Sequence, residues 1–408
     1  MTETQFVEIL RTTGARVFLV GGCVRDALRG VAAADRDYVV SGIEEAAFQR
    51  LFPKAPRVGR SFPVYLVEID GRASEVAFAR RERKVGAGYR GFDVAFSPDV
   101  TIEEDLYRRD TTMNSMAREL PGDTLLDPYG GQADVRKHVV RAVSHHFMED
   151  PVRALRAARQ AALFEFTITD DTLEYMHACR DELRDEPSER VLGELERALA
   201  ARRPSHFFRY LHAAGLLDVT FPELYALIGK TQPAAFHPEG DAFEHTMLIV
   251  DKVAAETEDV LVRFCGLAHD IGKGVTPKSM LPHHYGHEIA GGDVLAAWAA
   301  RMRFPKTWRQ AAAFVIREHM RAARLTKAGK IAKLLLHVAK SPLGFDGFNA
   351  VIRADHGSLP PYLLHGRAWA TELQKISGHD APTALSGSAI GDWVFAQQVQ
   401  RLRVLMKA

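Results

Sequence analysis

Two sets of residues in this chain have the types and spacing that phosphate chemistry needs. In the first set, Asp35-Arg36-Asp37 opens a short apolar run, DYVV (37–40). Residues two apart on a strand face the same way, so Asp35 and Asp37 are expected to present two carboxylates side by side. Like charges that close repel unless a cation compensates them, and oxygen donors of this kind suit Mg²⁺. Two metals held there can activate an attacking hydroxyl and neutralise a leaving pyrophosphate. Glu75, on a later predicted strand, offers a third carboxylate. Upstream, Gly21-Gly22 closes the run RVFLV (16–20) and precedes a helix predicted from residue 24. Glycines at such a turn let backbone N–H groups approach a phosphate, and a helix N-terminus favours its charge.

In the second set, His245 is followed by His269-Asp270 with Ile-Gly-Lys after it, and much later by Asp355. Neutral imidazoles mixed with carboxylates suit a divalent transition metal, which can turn bound water into a nucleophile. His283, His284, His287 and His319 lie in the same half, as candidates for phosphate binding or for supporting the ligands.

The elements that must position these groups change character along the chain. To about residue 143 the pattern is mixed α and β, with strands expected at 16–20, 37–40, 64–69 and 73–79. Asp70-Gly71 is a hairpin signal between the last two. Residues 84–91 (KVGAGYRG) hold three glycines and no apolar period, so a loop is expected. From Asp150 the period turns helical: Leu155, Ala158 and Ala162 share a face, and Pro151 stands where a first-turn proline is tolerated. Helices are also expected at 187–199 and 204–216. Prolines and glycine break the pattern at 230–240; histidine-rich helices follow to about 357, then a helical tail. The expected segments are 1–143, 144–228, 229–357 and 358–408. A chain of 408 residues is longer than one core usually serves.

The charge balance is almost neutral, with 53 basic and 52 acidic residues. Nucleic-acid binding is thus neither demanded nor excluded, and any basic surface must be local. Arginines do gather, at Arg80, Arg81 and Arg83, at Arg108 and Arg109, and at Arg153, Arg156 and Arg159. The three cysteines, widely spaced and odd in number, fit a reducing cytoplasm without a disulfide framework. No run reaches the roughly 18 apolar residues of a membrane span, so a cytoplasmic protein without membrane contact is expected.

Taken in order, VGGCVRDAL (20–28), DRDYVV (35–40), ARRERKVGAGYRGF (79–92), EDLYRRDTTMNSMA (104–117), DPYGGQADV (127–135) and EDPVRALRAAR (149–159) resemble the bacterial tRNA nucleotidyltransferases and their poly(A) polymerase relatives. The likeness runs almost end to end. It implies an α+β fold: a polymerase-β-like nucleotidyltransferase head of mixed sheet and helices, followed by an all-helical neck, HD domain and tail. The implied activity is template-free addition of CCA to tRNA 3′ ends from CTP and ATP. By the same resemblance Gly22 and Arg25 contact the triphosphate, Asp35 and Asp37 hold catalytic Mg²⁺, and Arg109 contacts nucleotide beside Asp110 and Asn114. Arg156 and Arg159 reach the incoming nucleotide. Asp150 and Arg153, after Glu149, read the base edge. Cytosine and adenine both place an exocyclic amine beside a ring-nitrogen acceptor, which a carboxylate and an arginine can read together. Asp150 is equally well placed to cap the helix that follows.

His245, His269, Asp270 and Asp355 resemble the ligand pattern of the HD phosphohydrolase superfamily. That likeness implies 2′,3′-cyclic phosphodiesterase, 2′-nucleotidase and phosphatase activities, with Ni²⁺ the metal linked to the last; the residues themselves support a divalent transition metal. Other readings are a poly(A) polymerase, an enzyme adding only CC or only A, a signalling-nucleotide synthetase–hydrolase, and a non-catalytic RNA-binding module. Monomer and homodimer are both compatible with the sequence.

Overall fold

The computed structural model describes residues 1–33, 35–58, 63–84 and 92–407. The chain divides into two compact units, one of residues 1–190 and 209–220, the other of residues 191–208 and 221–408. The expected loop at 84–91 lies outside the described residues from 85 onward; Lys84 itself ends a strand.

The first unit is built on a seven-stranded mixed sheet. Its strands in chain order are β1 (Arg16–Val20), β2 (Asp37–Ser41), β3 (Arg57–Val58), β4 (Val64–Ile69) and β5 (Arg72–Phe78). A separate hairpin of β6 (Arg81–Lys84) and β7 (Phe92–Ala95) follows, and then β8 (Ala117–Leu120) and β9 (Thr124–Leu126) complete the sheet. The spatial order is β3-β4-β5-β2-β1-β8-β9. Apolar runs without polar alternation are expected where a sheet is covered on both faces, and that is the case here. Val17, Tyr38, Val40, Val76 and Phe78 pack on one side with Phe6, Leu10 and Phe48. Phe18, Val20, Val39 and Ala117 pack on the other with Val100, Ile102 and Leu106. Asp70 and Gly71 both adopt positive φ between β4 and β5, as a tight hairpin requires.

Register brings the chemistry together on the central strands. Asp37 opposes Val20, the last residue of β1, and is the parallel partner of Glu75 on β5. Two residues on from Asp37, Val39 belongs to the second core, so Asp37 shares that face. Strand β2 begins at Asp37, and the alternation argued for Asp35 does not apply: β1 ends at Val20, where the chain turns, leaving Asp35 without a pairing partner. The helix after Gly21 runs over Gly22–Leu28, two residues earlier than expected. The segment 110–114 is fixed from below, where Thr112 Oγ1 donates to Asp134 Oδ2 at 2.7 Å. Asp127 accepts the free N–H groups of Gly131 and Gln132 at 2.7 and 2.8 Å at the start of the helix that carries Asp134.

In the second unit the described residues are helical and form no strands. Helices Ala242–Glu256, Val260–Ala268, His287–Met302, Lys306–Ala322, Ala328–Lys340 and Gly344–His356 make its body. Pro361–Leu364, Gly366–Gln374 and Ser388–Leu405 follow. Among the described residues no helix is long and apolar enough to cross a membrane.

Candidate active site and candidate metal centre

A cavity of about 1000 Å³ opens over the middle of the sheet, where the central strands β1, β2 and β5 meet the helix Val152–Phe164. Gly21, Gly22, Asp37 and Glu75 line one part of it, and eight arginines line the rest: Arg25, Arg80, Arg108, Arg109, Arg153, Arg156, Arg159 and Arg190. Gly21 sits at φ 72°, a conformation that favours glycine, and a Cβ there would lie 3.4 Å from Arg109 Nη1.

So many guanidiniums stay together because two buried carboxylates hold them. Asp105 is fully buried on the helix Ile102–Tyr107. It receives Arg108 Nη2 at 2.6 Å and Arg109 Nη2 at 2.9 Å. Burial alone raises its pKa; the Arg108 and Arg109 charges overcome that and bring it from 3.8 to about 2. Asp110 is also buried; it accepts Arg156 Nε at 2.9 Å, Gln160 Nε2 at 3.1 Å and Asn114 Nδ2 at 3.2 Å. Burial opposes its ionisation too, yet Arg156 and these hydrogen bonds hold its pKa far below the usual range. Asn114 Oδ1 in turn accepts Arg25 Nη1 at 2.6 Å, and the Arg25 guanidinium lies 4.4 Å from the centre of the Phe164 ring. Glu82 links Arg80 and Arg108, at 2.8 and 2.9 Å.

Asp37 is open to the cavity, and no arginine neutralises it in the same way. Desolvation by the cavity walls, then Glu75 and Asp35, raise its pKa, outweighing Arg109. Asp37 and Glu75, register partners on β2 and β5, are oxygen donors of the kind that suits a divalent cation. At the start of the helix Val152–Phe164, Asp150 Oδ1 accepts Val152 N at 3.1 Å, realising the cap. The same carboxylate receives Arg190 Nη2 at 2.8 and 3.0 Å. Arg153 does not meet Asp150; its Nη1 donates to His146 O at 2.6 Å. Glu149 pairs with His146 at 2.8 Å and does not line the cavity, nor does Asp35.

In the second unit, helix ends converge on one buried centre. His245 lies in the first turn of Ala242–Glu256, His269 and Asp270 follow Val260–Ala268, and Asp355 sits near the end of Gly344–His356. All four expected ligands meet. His245 Nε2 is 3.2 Å from Asp355 Oδ1 and 3.3 Å from His269 Nε2, and His269 Nε2 is 3.1 Å from Asp270 Oδ2. The other oxygen of Asp270 faces His287 Nε2 at 3.2 Å and His319 Nε2 at 3.3 Å. Gly272 makes room for this second pair, since a Cβ there would lie 2.0 Å from His287 O.

The Nδ1 atoms of all four imidazoles face acceptors. His245 faces Glu239 Oε1 at 2.5 Å, His269 faces Gly266 O at 2.7 Å, His287 faces His284 O at 2.7 Å and His319 faces Ile316 O at 3.0 Å. Protons on Nδ1 leave Nε2 bare and aimed at carboxylate oxygens, acceptor against acceptor. Asp270 Oδ1, His287 Nε2 and His319 Nε2 are buried without a hydrogen-bond partner. That arrangement fits cations on both sides of Asp270.

Residues 17–141 match the family model for the poly A polymerase head domain, and residues 242–341 match the HD domain. Residues 165–227 match a probable RNA and SrmB-binding site of polymerase A. A multifunctional CCA protein of Thioalkalivibrio sulfidiphilus is 40% identical over 408 residues, covering 96% of this chain and 98% of its own length. The chain belongs to the multifunctional CCA protein family. A member of that family from Nitrosococcus oceani is 44% identical over 346 residues, 83% of this chain and 84% of the relative. A solved CCA-adding enzyme in complex with ATP superposes with a TM-score of 0.65 at 19% identity, covering 98% of this chain and 88% of that one. The Thermotoga maritima CCA-adding enzyme complexed with tRNA gives 0.62 at 19%, covering 98% and 90%. At that identity the superpositions show a shared fold. As a member of the multifunctional CCA protein family the chain is a nucleotidyltransferase with an HD domain, and its mixed-sheet head and helical HD half agree with the expected fold.

Gly22, Arg25, Asp37, Arg109, Asp150, Arg153, Arg156 and Arg159 all line the cavity. Sequence reasoning missed the cavity roles of Glu82 and Arg190. Glu82 stands in the charged stretch 80–84, where nothing distinguishes it from a solvated acid, and Arg190 lies 40 residues from Asp150. Glu239, against His245, left no signal beyond a glutamate in a proline-glycine segment.

Asp105→Asn should destabilise the first unit. An Asp with a folded pKa below its unfolded one contributes stability above the unfolded value and loses it as pH falls through the folded value. The shift from 3.8 to about 2 corresponds to about 2–3 kcal/mol. The melting-temperature gap between wild type and variant should be full at pH 7 and narrow as pH falls from about 4 towards 2. A gap independent of pH would show that Asp105 is not a charged anchor.

Proposed function

We propose that the cavity of the first unit is the site at which CMP, CMP and AMP are transferred in turn from CTP and ATP to a tRNA 3′ hydroxyl, releasing pyrophosphate. The observation that carries this reading is the polarity of one cavity. Carboxylates Asp37 and Glu75 stand on the central strands beside Gly21-Gly22, arginines occupy the middle, and Asp150 and Arg153 stand at the helix start. A divalent cation, expected to be Mg²⁺, held by Asp35, Asp37 and Glu75 would supply charge neutralisation at the attacking hydroxyl and the leaving phosphates.

The protein groups do the rest. Arg25 and Arg109 bind the triphosphate, each already oriented through Asn114 or Asp105. The helix behind Gly22 has only seven residues, so these side chains, more than a helix dipole, hold the phosphates. Arg156 and Arg159 extend the cationic wall towards the base. Asp150 accepts from the exocyclic amine of cytosine or adenine, and Arg153 donates to the neighbouring ring nitrogen in exchange for His146 O. Guanine and uracil meet Asp150 and Arg153 with the opposite donor–acceptor pattern. The segments 1–143, 144–228, 229–357 and 358–408 serve as head, neck, HD domain and tail in this reading.

The second centre serves phosphate-ester hydrolysis at RNA or nucleotide ends, with 2′,3′-cyclic phosphates, 2′-nucleotides and phosphomonoesters as its substrates. Divalent transition metal there, Ni²⁺ by the family resemblance, would supply Lewis acidity. His245, His269, Asp270 and Asp355 hold one ion, and Asp270 with His287 and His319 holds a second. Lys273, 2.5 Å from Asp270 Oδ2 and donating to Gln232, brings the cation that a phosphate oxygen meets.

A tRNA transcript lacking CCA, incubated with protein, Mg²⁺, CTP and ATP, should acquire a discrete CCA end by 3′ sequencing; long A tails would mean a poly(A) polymerase, and a lone CC or A a partial enzyme. Asp37→Ala should lower addition by about 10²- to 10³-fold or more and leave hydrolysis of a 2′,3′-cyclic nucleotide intact, with Asp270→Ala giving the reverse. Loss of both activities from either change would contradict two separate sites. Asp150→Ala or Arg153→Ala should reduce discrimination against GTP and UTP by about 10- to 100-fold, the worth of one charge-assisted hydrogen bond; unchanged nucleotide choice would remove them from base reading. Metal analysis of protein loaded with Ni²⁺ and desalted should find about two ions per chain, falling to about one in His287→Ala, and one ion in both would leave only the site of His245, His269, Asp270 and Asp355.

A further inference from the structure

Net charge is +1 over the whole chain, and in the first unit the cavity arginines are matched by buried acids. One surface of the second unit departs from that balance. On the helix Ala328–Lys340, Lys330, Lys333, His337 and Lys340 recur at intervals of three, four and three residues and are exposed, while Ile331, Leu334, Leu335 and Val338 are buried. The spacing puts the four on one face along about 15 Å of helix. The neighbouring helix Lys306–Ala322 adds exposed Arg317 and Arg321, four residues apart.

Two hollows lie along these helices. One, of about 690 Å³, has Arg321, Lys330 and Lys333 on one side and Phe395, Val399 and Arg403 of the last helix on the other. The second, of about 450 Å³, is lined by Phe314, Arg317, His337 and Lys340. Neither contains an acidic side chain among the described residues. Glu318, an acid beside His337, is buried and already engaged by Arg317 at 3.2 Å and Arg321 at 2.8 Å. Among the described residues Lys330, Lys333, Lys340 and Arg403 form no ion pair. Burial, and then the neighbouring Lys333, Arg317 and Lys340 against Glu318, keep the His337 imidazole below its ordinary pKa, as a local positive potential does.

The geometry points to this face as a docking surface for the phosphodiester backbone of RNA, on the reading above the body of the tRNA whose 3′ end the head extends. A polymer matches the surface better than a single phosphate does, because the cations are strung out along a helix rather than gathered at a point. Duplex RNA is held mostly through phosphates and 2′-hydroxyls, which lysines in a groove meet without base reading. A membrane surface would call for apolar side chains projecting beyond the lysines; here Phe314, Phe395 and Val399 line the hollows.

The test is the full chain carrying Lys330→Gln, Lys333→Gln and Lys340→Gln together, none of which touches either active site. Filter binding to a tRNA transcript lacking CCA, across a salt series, should show Kd raised about tenfold or more at physiological salt. The slope of log K against log salt should be shallower by about two to three, from roughly 0.9 per lost contact on a duplex. Turnover at saturating tRNA and hydrolysis of a cyclic nucleotide at the second centre should be unchanged, so that KM for tRNA alone rises, and the triple Lys→Arg variant should bind as wild type does. Unchanged Kd and slope overturn the proposal, as does lost binding to phosphatidylglycerol vesicles with tRNA binding intact. If the wild type adds no nucleotide, the addition reading falls, while the binding series still decides the surface.

Discussion

Everything in the first unit's cavity depends on keeping a crowd of guanidiniums together. Asp105 and Asp110 do this by being buried and fully engaged, each neutralising arginines that otherwise repel. A buried ion pair gives little net stability, but removing one partner leaves a stranded charge, so such networks hold geometry more than they add free energy. The arginines are thereby held in place before any anion arrives, the condition under which electrostatic catalysis is effective. Asp37, left without such a partner, remains free for a cation.

The second centre solves the opposite problem. Its imidazoles are oriented by acceptors behind them, Glu239 and three backbone carbonyls, so that bare nitrogens face inward. Asp270 is the member both groups of ligands share. Its two oxygens look in different directions, and the glycine two residues later lets the helix bearing His287 come close enough to use the second one. The His-Asp-Ile-Gly-Lys run thus contributes two buried donor side chains, a close approach and a cation from five consecutive residues.

Much of this was legible in the sequence because its signals are local. Strands 16–20 and 64–69 coincide with the observed elements, since an apolar run bounded by a glycine turn needs no tertiary information. Asp37 and the converging His245, His269, Asp270 and Asp355 stood out by residue type and by their neighbours in the chain. What escaped was nonlocal. Asp35 falls outside the strand because β1, its potential partner, turns away at Gly21, and Glu82 and Arg190 acquire their places only through packing. Arg153 turning to His146 instead of Asp150 is likewise a matter of which carbonyl lies near in space.

The pairing of Arg190 with Asp150 bears on how such enzymes can be recombined. The segment 149–159 looks self-contained, a portable stretch of eleven residues. Its acid is nevertheless held by the opening turn of a helix that starts at Ser188. A chimaera that grafts only the segment inherits a carboxylate whose restraint was left behind in the donor. Shuffling between relatives would have to move both pieces as one inheritable block, despite the stretch of chain between them.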